Sequence, residues 1–298
     1  MNRNIKKVLL FIVFTLVSNY LLIALYFALG GKWIMPGSWI VTALYMFVPM
    51  LVTIVIQKFV DKQSLKSLGL SWKLNKWFLV ALLLPVIIVL AALGISLLFP
   101  GVEYSPTTSE ALERIKSVVT PEQLKQIQSD LAAVPSYALI LTNILEGLIA
   151  GVTINAVFGF GEELGWRGLM QTELNFMGFW KSSAIIGLTW GVWHAPLILQ
   201  GHNYPQHPQL GVFMMTILTL LLSPIYSYIR IKSKSVIAAA IMHGTTNALA
   251  ALPISLIKGG NDLTVGMTGL AGLIAIAIVI IGLFAYDSFL AKEPVMSK

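Results

Sequence analysis

Six side chains have the types and spacing to do chemistry: Glu162, Glu163, Arg167, His194, His243 and Asn247. A carboxylate, an imidazole and an amide together can activate a water and hold the oxyanion that forms when it attacks a carbonyl. On a helix, Glu163 and Arg167 lie four residues apart and share a face. Glu162 is turned about 100° from its neighbour. Arg167 can therefore neutralise Glu163 and leave Glu162 free to act as a base. His243 and Asn247 are also four apart and face the same way. Pro196 has no N–H to offer the carbonyl of Val192, so the helix carrying His194 must loosen there.

Each pattern alone has a simpler account. The Glu/Arg pair is a salt bridge capping a helix end, His194 is a satisfied interhelical donor, and Asn247 joins helices. Their occurrence on three separate apolar segments favours a shared site. An ionisable group inside a bilayer costs about 2.5–3.5 kcal/mol on insertion scales, so each such residue is a functional hypothesis by default. The chain has no cysteine, which excludes disulfides, a thiolate nucleophile and a cysteine zinc cluster. The HExxH zinc helix is absent as well. Glu162, His194 and His243 are nevertheless a set that forms a three-ligand zinc site with an open position, if they meet at one point.

The elements that must position these groups are membrane helices. The 298 residues are 57% hydrophobic and only 11% charged, with a mean hydropathy of +0.81. A soluble domain carries about 25% charged residues. Disorder, a nucleic-acid-binding tail and an ordinary cytosolic enzyme are excluded, and no nucleic-acid partner is expected. Eight segments reach the length of about 20 apolar residues that a bilayer demands: 8–30, 38–57, 77–99, 137–160, 182–200, 210–229, 236–253 and 265–288. The fold class is all-α: a polytopic bundle of about eight transmembrane helices with an external helical loop. The first run is too long for a signal peptide and reads as a retained helix.

With the N-terminus inside, 15 of the 20 basic residues fall on inner segments and 5 on outer ones (Lys32, Arg114, Lys116, Lys125 and Lys258). The positive-inside rule then puts both termini in the cytoplasm and the protein in the cell membrane as a multi-pass chain. The outer loop of residues 100–136 reads as a helical hairpin. Leu112, Ile115 and Val119 mark one arm. Thr120-Pro121-Glu122-Gln123 starts the other as a capping box, with Leu124, Ile127, Leu131 and Val134 following before Pro135. His202 and His207 read as solvated loop residues, and Glu146 as an outer-interface residue outside the site. Gly161-xxx-Gly165 and Gly187-xxx-Gly191 suggest close approach of the fourth and fifth spans.

EELGWR at Glu162–Arg167, Trp190-xxx-His194 and His243-xxx-Asn247 together resemble the three motifs of the CAAX-protease and bacteriocin-processing (CPBP, or Abi) family of intramembrane proteases. The resemblance covers about residues 158–250. Family members often have Phe where this chain has Trp190. It implies a catalytic core over 136–298, preceded by N-terminal helices and the loop over 1–135. It also implies an intramembrane endopeptidase acting on a peptide or membrane-protein substrate in contact with the lipid bilayer. By the same resemblance Glu162 is the water-activating base and His194 shares the water. Glu163 and Arg167 form a supporting pair, and His243 and Asn247 are oxyanion donors. Both a zinc-dependent and a metal-free glutamate mechanism fit the family. The competing readings are a non-catalytic immunity or binding protein and, less favoured, a proton-coupled transporter. One conflict is internal to these boundaries: at about 1.5 Å per residue, His194 lies about 18 Å from the inner edge and Glu162 lies at it. They meet only if the fourth helix is displaced or the fifth starts below the membrane. A polar cavity open to the cytoplasm is expected around them.

Overall fold

The computed structural model describes residues 2–105, 119–132 and 138–297. Its helices, in chain order, are α1 (Arg3–Ala28), α2 (Gly37–Val55), α3 (Lys76–Ser96), α4 (Pro121–Ala132), α5 (Leu139–Val152), α6 (Ile154–Glu163), α7 (Phe179–Ile198), α8 (Pro208–Ser233), α9 (Val236–Leu249) and α10 (Leu270–Phe289). The sheet among the described residues is a two-residue antiparallel pair, β1 (Glu103–Tyr104) with β2 (Ile257–Lys258). The chain is a polytopic helical membrane protein. Apolar side chains such as Val13, Val17, Leu21 and Leu25 on α1, Leu44 and Leu51 on α2, and Ile278 and Ile281 on α10 stay exposed. Helices satisfy their own backbone in lipid, and such outward apolar faces suit a hydrocarbon solvent.

Among the described residues six helices are long and apolar enough to cross a membrane: α1, α2 with its extension to Val60, α3, α8, α9 with its extension to Ser255, and α10. A seventh span is formed if Ile140–Val152 and Ile154–Met177, bent by 53°, count as one. The expected count of eight is not reached, because α7, the 182–200 segment, is not among them. Lys181, Ser182, Ser183, Thr189 and His194 lower its hydropathy, and Ser182, Ser183 and Thr189 are turned inward and buried.

The core gathers side chains from both ends of the chain. Phe11, Tyr45, Trp166, Ile186, Trp193, Ile225, Tyr226 and Met242 belong to one buried cluster. Both termini lie at the same end of the bundle. There Lys7 Nζ meets Asp61 Oδ2 at 2.6 Å, Gln57 Oε1 at 2.7 Å and Glu173 Oε1 at 2.8 Å. Asp287 Oδ2 accepts the N–H groups of Val295 and Met296 at 2.7 and 2.6 Å, and the indole of Trp180 donates to Met296 O at 2.8 Å. The carboxy-terminal strand of chain is thus fastened against α7 and α10.

At the opposite end, Tyr204 Oη donates to Thr268 O at 2.7 Å, and His207 Nδ1 lies 2.6 Å from Asp262 Oδ1. His207 is therefore partnered rather than simply solvated, and His202 packs edge-on to Trp33 at 6.1 Å between ring centres. The capping box is present. Thr120 N donates to Gln123 Oε1 at 2.9 Å, and Gln123 N to Thr120 Oγ1 at 3.3 Å. The other expected arm, with Leu112, Arg114, Ile115 and Lys116, lies outside the described residues, as do Val134 and Pro135.

Candidate active site

The fourth expected span does not stop at residue 160. After a break at Thr153, where φ is −113° and ψ −107°, α6 runs to Glu163. It continues as a π-helix over Leu164–Met170 and then through Gln171–Leu174 to a short turn ending at Met177. Gly178 then adopts φ +80° and the chain reverses into α7. A side chain is strained in that left-handed region, so glycine suits the turn. Glu162 lies sixteen residues before Gly178 and His194 sixteen after it. Across the turn Glu162 meets Trp190 of α7, whose indole donates to it at 2.8 Å. This removes the depth conflict: Glu162 is well inside the bundle because its helix extends past the charged residues that looked like an interface.

Glu162 is held through one oxygen. Its Oε2 accepts the indole N–H of Trp190 at 2.8 Å and that of Trp166 at 3.3 Å. Its Oε1 lies 3.7 Å from His243 Nε2. Glu163 Oε1 accepts from Arg167 Nη1 at 3.0 Å and from His243 Nδ1 at 2.9 Å. Both carboxylates, Arg167 and His243 are buried, Glu163 and Arg167 completely. The guanidinium of Arg167 lies over the rings of Trp190 and Tyr226, 4.9 and 4.8 Å from their centres. Two carboxylates, one guanidinium and an imidazole in contact with both carboxylates form a compensated cluster. Compensation of that kind is what permits ionisable groups so far from water.

His194 is oriented by its own helix. Its Nδ1–H donates to Trp190 O at 2.8 Å, which leaves Nε2 as the acceptor. The carbonyl of Val192, deprived of a helical partner by Pro196, accepts from Tyr20 Oη at 2.7 Å. Tyr45 Oη donates to the next carbonyl, Trp193 O. Trp193 Nε1 in turn donates to Asn19 Oδ1 at 2.8 Å, and Asn19 Nδ2 to Tyr45 O at 2.9 Å. The imidazoles of His194 and His243 both pack against Trp190, at 5.8 and 5.4 Å between ring centres.

Close approach of α6 and α9 brings His243 to the carboxylates. A Cβ on Gly244 would come within 2.6 Å of Ala156 N, and one on Gly159 within 2.8 Å of Ala240 O. The expected role of the other glycine pairs is corrected. Gly161 and Gly165 face Met46, Pro49 and Phe11 on α2 and α1, whereas Gly187 and Gly191 face Thr216, Thr219 and Leu220 on α8. They do not join the fourth span to the fifth.

Two expected features sit apart from this cluster. Asn247 is exposed on α9, one turn beyond His243, and makes no hydrogen bond to a described residue. Glu146 is exposed on α5 and takes no part. Among the described residues no three His, Asp or Glu side chains gather tightly enough to hold one ion. Indole rings of Trp166 and Trp190 line one side of Glu162. A cavity of about 360 Å³ opens nearer the chain termini, lined by Gln171, Asn175, Phe179, Ser182, Ile231 and Val295 among others. Tyr20, Tyr45, Trp166 and Tyr226 were not singled out from the sequence. Only Pro196 hinted that some donor must serve Val192 O.

Comparison with known proteins finds similarity over the part of the chain that carries this cluster. Residues 137–249 match the model of the Type II CAAX prenyl endopeptidase Rce1-like family. Over these residues the chain is similar to the CAAX-protease (CPBP) family. The matched stretch contains all six candidate residues and Trp190, and it leaves α1–α4 and α10 outside. The chain is also 32% identical over 127 residues to the CAAX prenyl protease 2 of Methanococcus maripaludis; the alignment spans 40% of this chain and 45% of that protein. The chain thus covers less than half the length of this relative.

Proposed function

We propose that the protein is an intramembrane endopeptidase that hydrolyses a peptide bond with a water activated by Glu162. The observation that carries this reading is the meeting of Glu162 Oε1 and His243 Nε2 at 3.7 Å, eighty-one residues apart in sequence, inside a buried and charge-compensated cluster. Glu162 Oε1 takes a proton from water, and the oxygen attacks the scissile carbonyl carbon. With both ring protons in place, His243 donates from Nε2 to the oxyanion, and its charge offsets the second carboxylate. Asn247 supplies a further donor one turn along the same helix. His194 Nε2 accepts the water's other hydrogen. When the C–N bond breaks, the proton held by Glu162 passes to the leaving nitrogen and the water's second proton follows by way of His194, so that water is consumed and a carboxylate and an ammonium group are released.

Residues 136–298 form the catalytic core in this reading, and the helices within 1–135 close it from one side. Metal-free glutamate chemistry fits the donors around Glu162 better than a three-ligand zinc centre. The distribution of basic residues puts both termini in the cytoplasm of a cell-membrane protein, with substrate entering from that side. The names of the matched family and relative point to a prenylated carboxy-terminal peptide as the first substrate to try. In proteoliposomes, the wild-type protein is expected to cleave a farnesylated fluorogenic peptide ending in a CAAX sequence. Glu162→Gln is expected to insert with unchanged helicity and to lose cleavage by a factor of about 10² or more. Wild-type turnover by purified Glu162→Gln would refute the assignment.

A further inference from the structure

The carboxylate of Glu162 has two chemically equivalent oxygens, and a base must present one of them to water. Free in solution, either would serve. Here Oε2 already carries two donors, Trp190 Nε1 at 2.8 Å and Trp166 Nε1 at 3.3 Å, while Oε1 has no hydrogen bond among the described residues and lies 3.7 Å from His243 Nε2. The two indoles come from opposite arms of the hairpin: Trp166 from one helical turn beyond Glu162, Trp190 from α7. An indole N–H is a donor only, on a rigid ring, so it fixes the plane of the carboxylate without competing for its proton.

Trp190 is tied down in its turn. It is 3% exposed. The Arg167 guanidinium lies over its ring, and the ring contacts both imidazoles and Tyr226, whose centre is 5.6 Å away. Its own carbonyl receives the Nδ1–H of His194. One residue therefore orients both Glu162, through its side chain, and His194, through its main chain.

We propose that Trp190 is a positioning residue for hydrolysis: with Trp166, its indole N–H saturates Oε2 of Glu162 and so leaves Oε1 as the oxygen that deprotonates water. This rests on the assignment of Glu162 as the base. The indole touches no reacting atom. Removing it allows the carboxylate to rotate between two placements, only one of which faces the water between Oε1 and the imidazoles. Binding of the peptide is untouched, so the loss falls on kcat.

The test compares wild type, Trp190→Phe, Trp166→Phe and Glu162→Gln on the farnesylated peptide in proteoliposomes. Trp190→Phe is expected to lower kcat about tenfold or more, the value of one hydrogen bond to a charged acceptor, with KM within about twofold. Trp166→Phe, at the longer bond, is expected to lower kcat less. The carboxylate stretch of Glu162, isolated as the infrared difference between wild type and Glu162→Gln, is expected to shift in Trp190→Phe, which lost packing alone would not produce. Because Phe is smaller and can disturb folding, Trp190 is also replaced by benzothienylalanine, which has the indole's shape and lacks the N–H. Wild-type kcat in that protein, or an unshifted carboxylate band, overturns the inference. If Glu162→Gln is itself active, the hydrolase assignment falls instead. If Glu162→Gln is inactive and the benzothienylalanine protein is fully active, the assignment stands and the positioning role alone is wrong.

Discussion

Tyr20 and Val192 are joined by a 2.7 Å hydrogen bond from phenol to main-chain carbonyl, linking α1 to the segment of α7 that Pro196 leaves open. Tyr45 serves the adjacent carbonyl from α2. Two helices outside the family match thereby support the backbone around His194. Tyr20→Phe is expected to cost about 1 kcal/mol of stability, the typical worth of such a bond, and to lower kcat more than it alters KM. Thermal unfolding in detergent and peptide cleavage check the two halves. An unchanged kcat would mean that the bend is held without α1.

Arg167 neutralises Glu163 in a fully buried ion pair. Arg167→Met leaves a buried carboxylate short of its partner and is expected to cost about 3–5 kcal/mol. Arg167→Lys is expected to restore only part of this, since an ammonium cannot stack between Trp190 and Tyr226 as a planar guanidinium does. Yields of folded protein and melting temperatures distinguish the two substitutions.

Gly244 sets the distance between α9 and α6. A methyl group there would come within 2.6 Å of Ala156 N, which belongs to backbone and cannot swing aside. Gly244→Ala is expected to destabilise by about 1–3 kcal/mol through overpacking and to draw His243 off the carboxylates, with loss of cleavage. Retention of full activity would show that α9 can shift without moving its imidazole.

Asp61, at the terminal end, experiences opposing influences. Burial raises its proton affinity, but hydrogen bonds and charge from Lys7 and Arg3 outweigh this and hold the carboxyl below its usual range. A folded pKa below the unfolded one, about 3.9, contributes stability above that unfolded value and loses it as pH falls through the folded one. Melting temperature is therefore expected to drop on acidification below about pH 4. Asp61→Asn is expected to remove that component of the drop.

His202 behaves in the opposite chemical sense at the other end. Desolvation pushes its pKa down to about 4, against about 6.5 in an unfolded chain. Between those values the unfolded state binds more protons, so stability rises with pH across that window and falls on acidification. His202→Gln is expected to flatten the pH dependence of melting over this interval. A slope equal to wild type would show that His202 is solvated after all.

The all-helical membrane architecture was legible because hydropathy acts over whole segments: every expected span except 182–200 meets the length and apolarity that a bilayer requires, if the bent pair counts as one. The Glu163–Arg167 contact and the capping box at Thr120 and Gln123 were legible because they depend on three- and four-residue helical offsets alone. The level of Glu162 was not. Charges after residue 160 look like an interface until Arg167 is seen to lie between aromatic rings. Nor could spacing identify Trp166, Tyr20 or Tyr45, whose roles arise from contacts between helices distant in sequence. Gly187 and Gly191 illustrate the same limit: a small-residue stripe signals a close neighbour, but not which neighbour.

The hairpin about Gly178 is a ruler that sets Glu162 on one arm against Trp190 on the other. Deleting one residue from the stretch between Glu162 and Gly178 would slide the carboxylate by about 1.5 Å and rotate it by about 100°, taking it away from Trp190. A compensating deletion between Gly178 and Trp190 would realign the heights but not the facing. The reach from the turn to the chemistry is therefore fixed in steps of whole helical turns on both arms, and shortening or lengthening this protein near its reactive centre must proceed in pairs.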